Sequence, residues 1–281
     1  MSRVWFITGA SSGLGAALAA EVLQRGDRVA ATFRKPEQAS AFSQQQAGAL
    51  GIVLDLNDST RIAGAVEEAH AHFGGIDVLV NNAGYGFIGG IEEASMEEVR
   101  AQFETNFFGM AALTKEVLPL MRAQGSGYIL QLSSAAGIKA TAGFGVYNAS
   151  KFALEGFSEA LAQEVAPFGI RVVIVEPGPF RTEFAGSSVQ LAKNRIEDYA
   201  KTPVAQMYHY ITRIGGRQEG DPAKAARVMG DYVHNGATTL RLPLGKHPID
   251  VIKAKLKSVE QDLETNRDLA LSTLVDGANG R

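Results

Sequence analysis

Apolar runs that alternate with helix-periodic stretches constrain the fold of this chain more than any other feature of its sequence. Runs rich in Val, Ile and Leu occupy 4–9, 28–33, 51–56, 76–84, 127–134, 170–178 and 238–245. Their apolar residues are continuous, which is typical of parallel strands covered on both faces. The stretches between them have helical periodicity, as in right-handed βαβ units. The sequence therefore predicts a single α/β domain with a doubly wound, mostly parallel sheet of the Rossmann type.

Composition excludes several classes of protein. Lys and Arg number 27 against 30 Asp and Glu, so no nucleic-acid partner is expected. The chain has no cysteine, which excludes disulfides and thiol nucleophiles, and its five histidines lack metal-ligand spacing, so no metal is expected. No signal-peptide pattern and no apolar stretch of ~20 residues occurs, so we expect a cytoplasmic protein without a membrane partner.

The chain divides into two predicted parts. Residues 1–247 form the dinucleotide-binding and catalytic domain, and within them 179–236 is less regular and rich in aromatics. Residues 248–281 form a C-terminal helical extension of the same domain. The sequence from 249 to 266, IDVIKAKLKSVEQDLETN, is charged and amphipathic, and its simplest interpretation is a helix docked on the surface.

A glycine-rich turn follows the first predicted strand and opens the first helix. It reads TGASSGLG over 8–15. Glycines permit positive φ and close backbone approach, and a helix N-terminus offers free N–H groups to a pyrophosphate. The turn therefore predicts a dinucleotide site, although its glycine spacing differs from the common G-x-G-x-x-G pattern.

The residue after the second strand favours one cofactor. An acid there binds the ribose 2′-hydroxyl of NAD, and a basic residue accommodates the 2′-phosphate of NADP. Here Arg34 and Lys35 follow the strand, with Ser12 able to add a hydroxyl, which favours NADP(H). The alternative is an exposed basic pair without a ligand. Asp55, after the third strand, is placed either to reach the adenine or to cap a helix.

Six motifs in order carry a resemblance to a known family. The chain resembles the short-chain dehydrogenase/reductases over roughly residues 3–245, in their shorter single-domain subtype and most closely their hydroxysteroid and retinol dehydrogenase branches. The motifs are TGASSGLG (8–15), NNAG (81–84), NFFG (106–109), SS (133–134), YNASK (147–151) and PGPFRT (177–182).

The resemblance implies a catalytic tetrad of Asn106, Ser134, Tyr147 and Lys151. Ser134 is preferred to Ser133 because it lies 13 residues before the tyrosine, close to the family's spacing. Strand parity sends the two serines to opposite faces. The predicted cofactor-binding residues are Gly9, Ser11, Ser12, Gly13, Leu14, Gly15, Arg34, Asp55, Leu56, Asn82, Ala83, Gly84, Tyr147, Lys151, Pro177, Gly178 and Thr182.

The spacing of Tyr147 and Lys151 suits proton transfer. Residues four apart share a helix face, so Lys151 is expected beside Tyr147. A phenol with a pKa near 10 is a poor acid–base group at neutral pH, and a nearby ammonium is expected to lower that pKa. Ser134 would bond the carbonyl oxygen where negative charge develops. The resemblance implies that Asn106 lies in a helix kink and holds a water in a proton relay to Lys151.

These observations predict an oxidoreductase that moves a hydride between NADP(H) and an apolar carbonyl compound or secondary alcohol. The alternative is a nucleotide-sensing regulator with the same fold and little turnover. A dehydratase or epimerase is disfavoured by the glycine spacing. The resemblance also implies a homodimer or homotetramer that pairs helices around 107–122 and 151–166. Apolar residues offered for that interface are Phe107, Phe108, Leu113, Phe152 and Phe157.

Overall fold

The computed structural model describes residues 2–275 and is built on two parallel sheets. The strands are β1 Val4–Ile7, β2 Arg28–Phe33, β3 Ala49–Val53, β4 Val78–Asn81, β5 Gly86–Ile88, β6 Gly127–Leu132, β7 Ile170–Pro177, β8 Val189–Leu191 and β9 Arg241–Leu244. The α-helices are α1 Gly13–Gln24, α2 Pro36–Ser43, α3 Ile62–Phe73, α4 Met96–Phe103, α5 Gly109–Gln124, α6 Gly145–Val165, α7 Pro203–Ile214, α8 Pro222–His234 and α9 Lys246–Leu271.

The main sheet confirms the predicted doubly wound fold. Its seven strands lie in the order β3-β2-β1-β4-β6-β7-β9, and every neighbouring pair is parallel. The chain builds outward from β1 to β3, then returns to the other side of β1 and continues to β9. The strand order therefore reverses between β1 and β4, which is where doubly wound sheets form their ligand crevice.

Both faces of the sheet are covered, which explains the continuous apolar runs. Within β1, Trp5 and Ile7 belong to the core beneath α1 and α8, and Phe6 belongs to the core beneath α3, α5 and α6. All three side chains have no exposed surface. Because successive strand residues point to opposite faces, a sheet buried on both sides needs an apolar residue at every position.

The segment between β7 and β9 is more regular than its sequence predicts. The stretch 179–236 contains the regular helices α7 and α8. Helix α8 packs against α1 beside the sheet, whereas Tyr208 and Ile211 of α7 form a separate cluster with Ile88 of β5. The aromatic residues of this stretch do not form one cluster: Tyr199 packs with Tyr208, whereas Phe180 packs against the core beneath α1 and α8.

Helix α9 is not the docked surface helix that its amphipathic sequence suggests. It begins at Lys246, so the predicted boundary after residue 247 falls inside it. Its first turns contact β9 and the loop at 135–137, but of residues 253–275 all except Lys255 are exposed. The two-part division at 247/248 stays a prediction, and residues 276–281 of it lie outside the described residues.

Only some of the apolar residues that were predicted to pair subunits are exposed on the surface. Leu113 has no exposed surface and belongs to the core, so it was wrongly assigned to an interface. Phe107 packs edge-on against Phe157. Phe108 and Phe152 remain exposed, at 53% and 42%. Across residues 2–275, no helix combines the length and apolar character that a membrane crossing requires.

Candidate active site

A deep cleft opens at the carboxyl ends of the main strands, over the point where the strand order reverses. Its volume is about 990 Å³. The loops after β1, β2, β3, β4, β6 and β7 line one side, and α6, α7 and the first turn of α9 line the other. Nearly all of the predicted site residues meet here; only Gly15 and Asn106 do not line the cleft.

The glycine turn leaves the N-terminus of α1 open toward the cleft. Gly9 and Gly13 have φ of 67° and 61°, in the left-handed region that favours glycine. Ser12 occupies the N-cap position, but its side chain makes no capping hydrogen bond, and the first turn of α1 carries no acid. The free N–H groups and the positive end of the helix dipole therefore suit the pyrophosphate of a dinucleotide.

Gly15 supports the turn from behind. A Cβ at this position would lie 2.4 Å from Asn82 Nδ2 and 2.6 Å from Gly9 O. Asn82 Nδ2 itself donates to Thr8 O at 2.8 Å and to Gly9 O at 3.0 Å. Gly15 is therefore required for this close packing, and the segment that includes Ala83 and Gly84 braces the turn rather than merely following β4.

The residues after β2 and β3 reach the far end of the cleft. Arg34 is exposed and lines the cleft with Ser11, Ser12 and Leu14, whereas Lys35 does not line it. Asp55 lines the cleft beside Leu56, and its Oδ1 accepts the N–H of Asn57 at 3.0 Å. The capping alternative for Asp55 is wrong, because the N-cap of the following short helix is Asp58.

Tyr147 and Ser134 meet at the centre of the cleft. Tyr147 is 5% exposed and its ring lies between Phe144 and Phe184, with centroid distances of 5.4 Å and 5.6 Å. Burial raises the pKa of the Tyr147 hydroxyl to about 12, and a hydrogen bond with the Ser134 side chain opposes that rise. Ser133 points elsewhere and donates to Glu155 Oε1.

Lys151 lies one helical turn after Tyr147 and is 6% exposed. Its Nζ is 5.9 Å from the centroid of the Tyr147 ring and donates to Leu132 O at 2.6 Å. Burial lowers the pKa of Lys151 to about 8, and the carboxylate of Glu155 opposes that shift. The expectation that Lys151 lowers the pKa of Tyr147 is therefore wrong here, because desolvation dominates the environment of the phenol.

Asn106 lies in the predicted kink. Residues Glu104–Phe108 form a π-helical segment between α4 and α5, a rare geometry that is frequent at functional sites. Asn106 Nδ2 donates to Tyr85 O at 3.0 Å, and its Oδ1 accepts the Tyr85 N–H at 3.1 Å. A Cβ on Gly84 would lie 3.1 Å from Asn106 Oδ1 and 3.8 Å from Lys151 Nζ. Asn106 therefore stands behind Gly84, on the same side as the lysine.

The segment after β7 closes the cleft over the glycine turn. A Cβ on Gly13 would lie 3.4 Å from Thr182 Cβ, so this threonine faces the phosphate end of the cleft. Pro177 and Gly178 line the cleft, and a Cβ on Gly178 would meet Pro248 Cδ at 2.9 Å. The first turn of α9 therefore packs against the segment that follows β7.

A buried charge network, which the sequence did not predict, lies behind Lys151. Glu155 accepts hydrogen bonds from Ser133 and from Arg241 Nη1, and Arg241 also bonds Glu176 and Glu159. Burial raises the pKa of Glu155. Glu155 lies four residues after Lys151, and this spacing could have indicated that the two side chains share a helix face. Nothing in the sequence around Arg241 indicated that β9 brings this cation beneath α6.

Comparisons with known proteins identify the relatives of this chain. The short chain dehydrogenase family profile matches residues 3–192. Oxidoreductase BOA17 of Botryotinia fuckeliana is 35% identical over 97% of this chain and 100% of its own. A 3-ketodihydrosphingosine reductase of Bacteroides thetaiotaomicron is 42% identical over 70% of this chain and 72% of its own. A short-chain dehydrogenase structure from Streptomyces avermitilis superposes with a TM-score of 0.90 at 39% identity, covering 97% of this chain and 100% of that one.

The fold and the cleft define an oxidoreductase with a dinucleotide-binding Rossmann domain. The chain belongs to the short-chain dehydrogenase family. Its fold is one that binds a nicotinamide dinucleotide, and solved chains with this fold include complexes with NAD and with NADH.

Proposed function

We propose that this protein reduces an apolar ketone with NADPH, or oxidises the corresponding secondary alcohol with NADP. The observation that carries the proposal is the juxtaposition of Tyr147, Ser134 and Lys151 in the cleft that the glycine turn opens. The nicotinamide, when bound, supplies or accepts the hydride. The side chains of this chain would position the carbonyl and handle its proton.

Tyr147 would donate the proton to the carbonyl oxygen. With its pKa raised to about 12, the phenol keeps its proton at neutral pH, and it can still give that proton to the alkoxide that hydride transfer forms, because an alkoxide is a stronger base than a phenolate. Ser134 would donate a second hydrogen bond to the same oxygen, where negative charge develops. Ser134 and Tyr147 both line the cleft, so both hydroxyls could reach one carbonyl oxygen bound there.

Lys151 would bind the ribose of the cofactor and hold a positive charge near the phenol. One donor of its ammonium is used by Leu132 O, which leaves two for other partners. Asn106 would position this arrangement through the Tyr85 backbone, and a water between Asn106 and Lys151 would relay the proton. The Glu155 carboxylate favours the charged form of Lys151 against the cost of burial.

Several exposed groups support NADP(H) as the cofactor. Arg34 and Ser12 line the end of the cleft, and the residues directly after β2 are basic rather than acidic. A guanidinium can meet the 2′-phosphate with charge-assisted hydrogen bonds. Asp55, whose side chain lines the same end, would face the adenine.

Paired variants of the basic loop test the cofactor assignment. Arg34→Asp should weaken NADPH binding far more than NADH binding. A loss of about 2 kcal/mol, within the range for a charged hydrogen bond, corresponds to roughly 30-fold in Kd. Lys35→Asp is the matched control, because Lys35 is exposed but does not line the cleft. Equal wild-type affinities for both cofactors, or equal effects of the two variants, would contradict the assignment.

The other end of the cleft suggests an apolar substrate. Its wall is made by Phe144, Phe184, Met207, Ile211 and Ile214. The Bacteroides thetaiotaomicron relative is by name a ketone reductase, which supports the same reaction here. The test is NADPH oxidation with a panel of apolar ketones; cofactor binding without turnover across the panel would favour the regulatory alternative.

We further propose a cytoplasmic homodimer or homotetramer in which residues 1–247 form the catalytic domain and 248–281 its extension. The exposed Phe108 and Phe152 support pairing through α6 and the π-helical segment. Sedimentation showing only monomer at micromolar concentration would refute the oligomer.

A further inference from the structure

Helix α9 carries an apolar seam, and from Leu256 onward its own chain does not cover it. Residues spaced alternately by three and four occupy one side of the helix, as the core positions of a coiled coil do. Leu256 is 63% exposed, Leu263 is 67% exposed and Val259 is 38% exposed. The seam consists of Ile249, Ile252, Leu256, Val259 and Leu263, and the polar Asn266 continues the same spacing.

The charges of α9 are divided between its two halves. The N-terminal half carries Lys246, Lys253, Lys255 and Lys257 against the single acid Asp250. The C-terminal half carries Glu260, Asp262, Glu264 and Asp268 against the single base Arg267. Within the described chain, only Lys246 and Asp250 of this helix form an ion pair.

Helix α9 has both kinds of charged neighbours: opposite charges lie three residues apart at Lys257/Glu260 and Glu264/Arg267, and like charges lie four apart. Lys253 and Lys257 lie four residues apart, and so do Glu260, Glu264 and Asp268. Like charges at this spacing are neighbours on a helix and destabilise it. A partner helix that brings acids to the basic half and bases to the acidic half would relieve both repulsions and cover the seam.

We propose that α9 pairs antiparallel with α9 of a second copy of this chain. Antiparallel pairing puts Leu256 against Val259 of the other copy, and Ile252 against Leu263. In the same register Lys253 meets Glu260 and Lys255 meets Asp262, each twice by symmetry. We choose a second copy as the partner because, in an antiparallel pair, the basic half of one α9 lies beside the acidic half of the other.

The absence of cysteine makes cross-linking a direct test. Two variants, Ile252→Cys and Leu263→Cys, are prepared separately, one with an affinity tag, then mixed under reducing conditions and oxidised. Antiparallel pairing should give the mixed 252–263 disulfide and little homodimer of either variant, because like positions are then about 16 Å apart along the axis. Homodimers of each variant would mean parallel pairing, and no cross-link would mean no pairing; either result overturns the proposal.

A second substitution, added to both cysteine variants, tests whether pairing depends on the seam or on any exposed leucine of α9. Leu256→Asn should lower the yield of the mixed disulfide at least about tenfold, because it places an unpaired amide in the apolar layer twice per dimer. Leu271→Asn is the matched control: Leu271 is 51% exposed on the same helix but lies outside the seam. Fluorescence of the buried Trp5 reports that each variant is folded. Equal yields for the two variants would overturn the proposal.

Discussion

Replacing Tyr147 by phenylalanine separates its chemistry from its packing. The ring is 5% exposed and lies between two aromatic rings, and Phe retains all of these contacts. The substitution removes one hydroxyl and its hydrogen bond with Ser134. The net contribution of such a bond is about 0.5–1.5 kcal/mol, which corresponds to a fall of a few degrees in Tm.

The expected loss of activity is much larger. A general acid contributes about 10²–10⁴-fold to the rate, so kcat for ketone reduction should fall at least about 100-fold. That fall is equivalent to about 2.7 kcal/mol in the barrier, more than the loss in folding free energy. The affinity for NADPH should stay nearly unchanged.

The assay combines steady-state NADPH oxidation, NADPH titration and thermal unfolding of the same samples. Tyr210→Phe is the control, because Tyr210 also lines the cleft but lies on α7 and is 45% exposed. It should change kcat only slightly. Turnover of Tyr147→Phe within about threefold of wild type would refute the assignment of Tyr147 as the proton donor.

Two further predictions concern stability. Gly51→Ala should destabilise the fold by about 1–3 kcal/mol, since a Cβ would lie 2.0 Å from Ala39 O, whereas Gly64→Ala, with no atom within 4 Å, should not destabilise it; urea titration compares the two. Burial lowers the pKa of Lys151 to about 8, below its value in the unfolded chain, so between these values the unfolded chain binds more protons. The contribution of Lys151 to the free energy of unfolding should therefore rise with pH above 8, and urea titrations at pH 8 and pH 10 should show that rise in wild type but not in Lys151→Met.

Local pattern was sufficient for the sheet and for most of the cleft. Continuous apolar strands such as β1 can be read from the sequence because a doubly covered sheet requires an apolar residue at every position. The site residues could be located because parallel strands bring the loops after their carboxyl ends to one edge. Arg34 and Asp55 reach the cleft for this reason.

The sequence determined which groups are present, and the tertiary structure decided their environment. The i, i+4 spacing placed Lys151 one turn from Tyr147, but the depth of burial set the direction of both pKa shifts. The burial of a side chain depends on contacts with segments that are distant in the chain, so a local sequence pattern cannot predict it. The same holds for Arg241, which only the addition of β9 to the sheet brings beneath α6, and for α9, whose amphipathic sequence is equally compatible with a docked and an exposed helix.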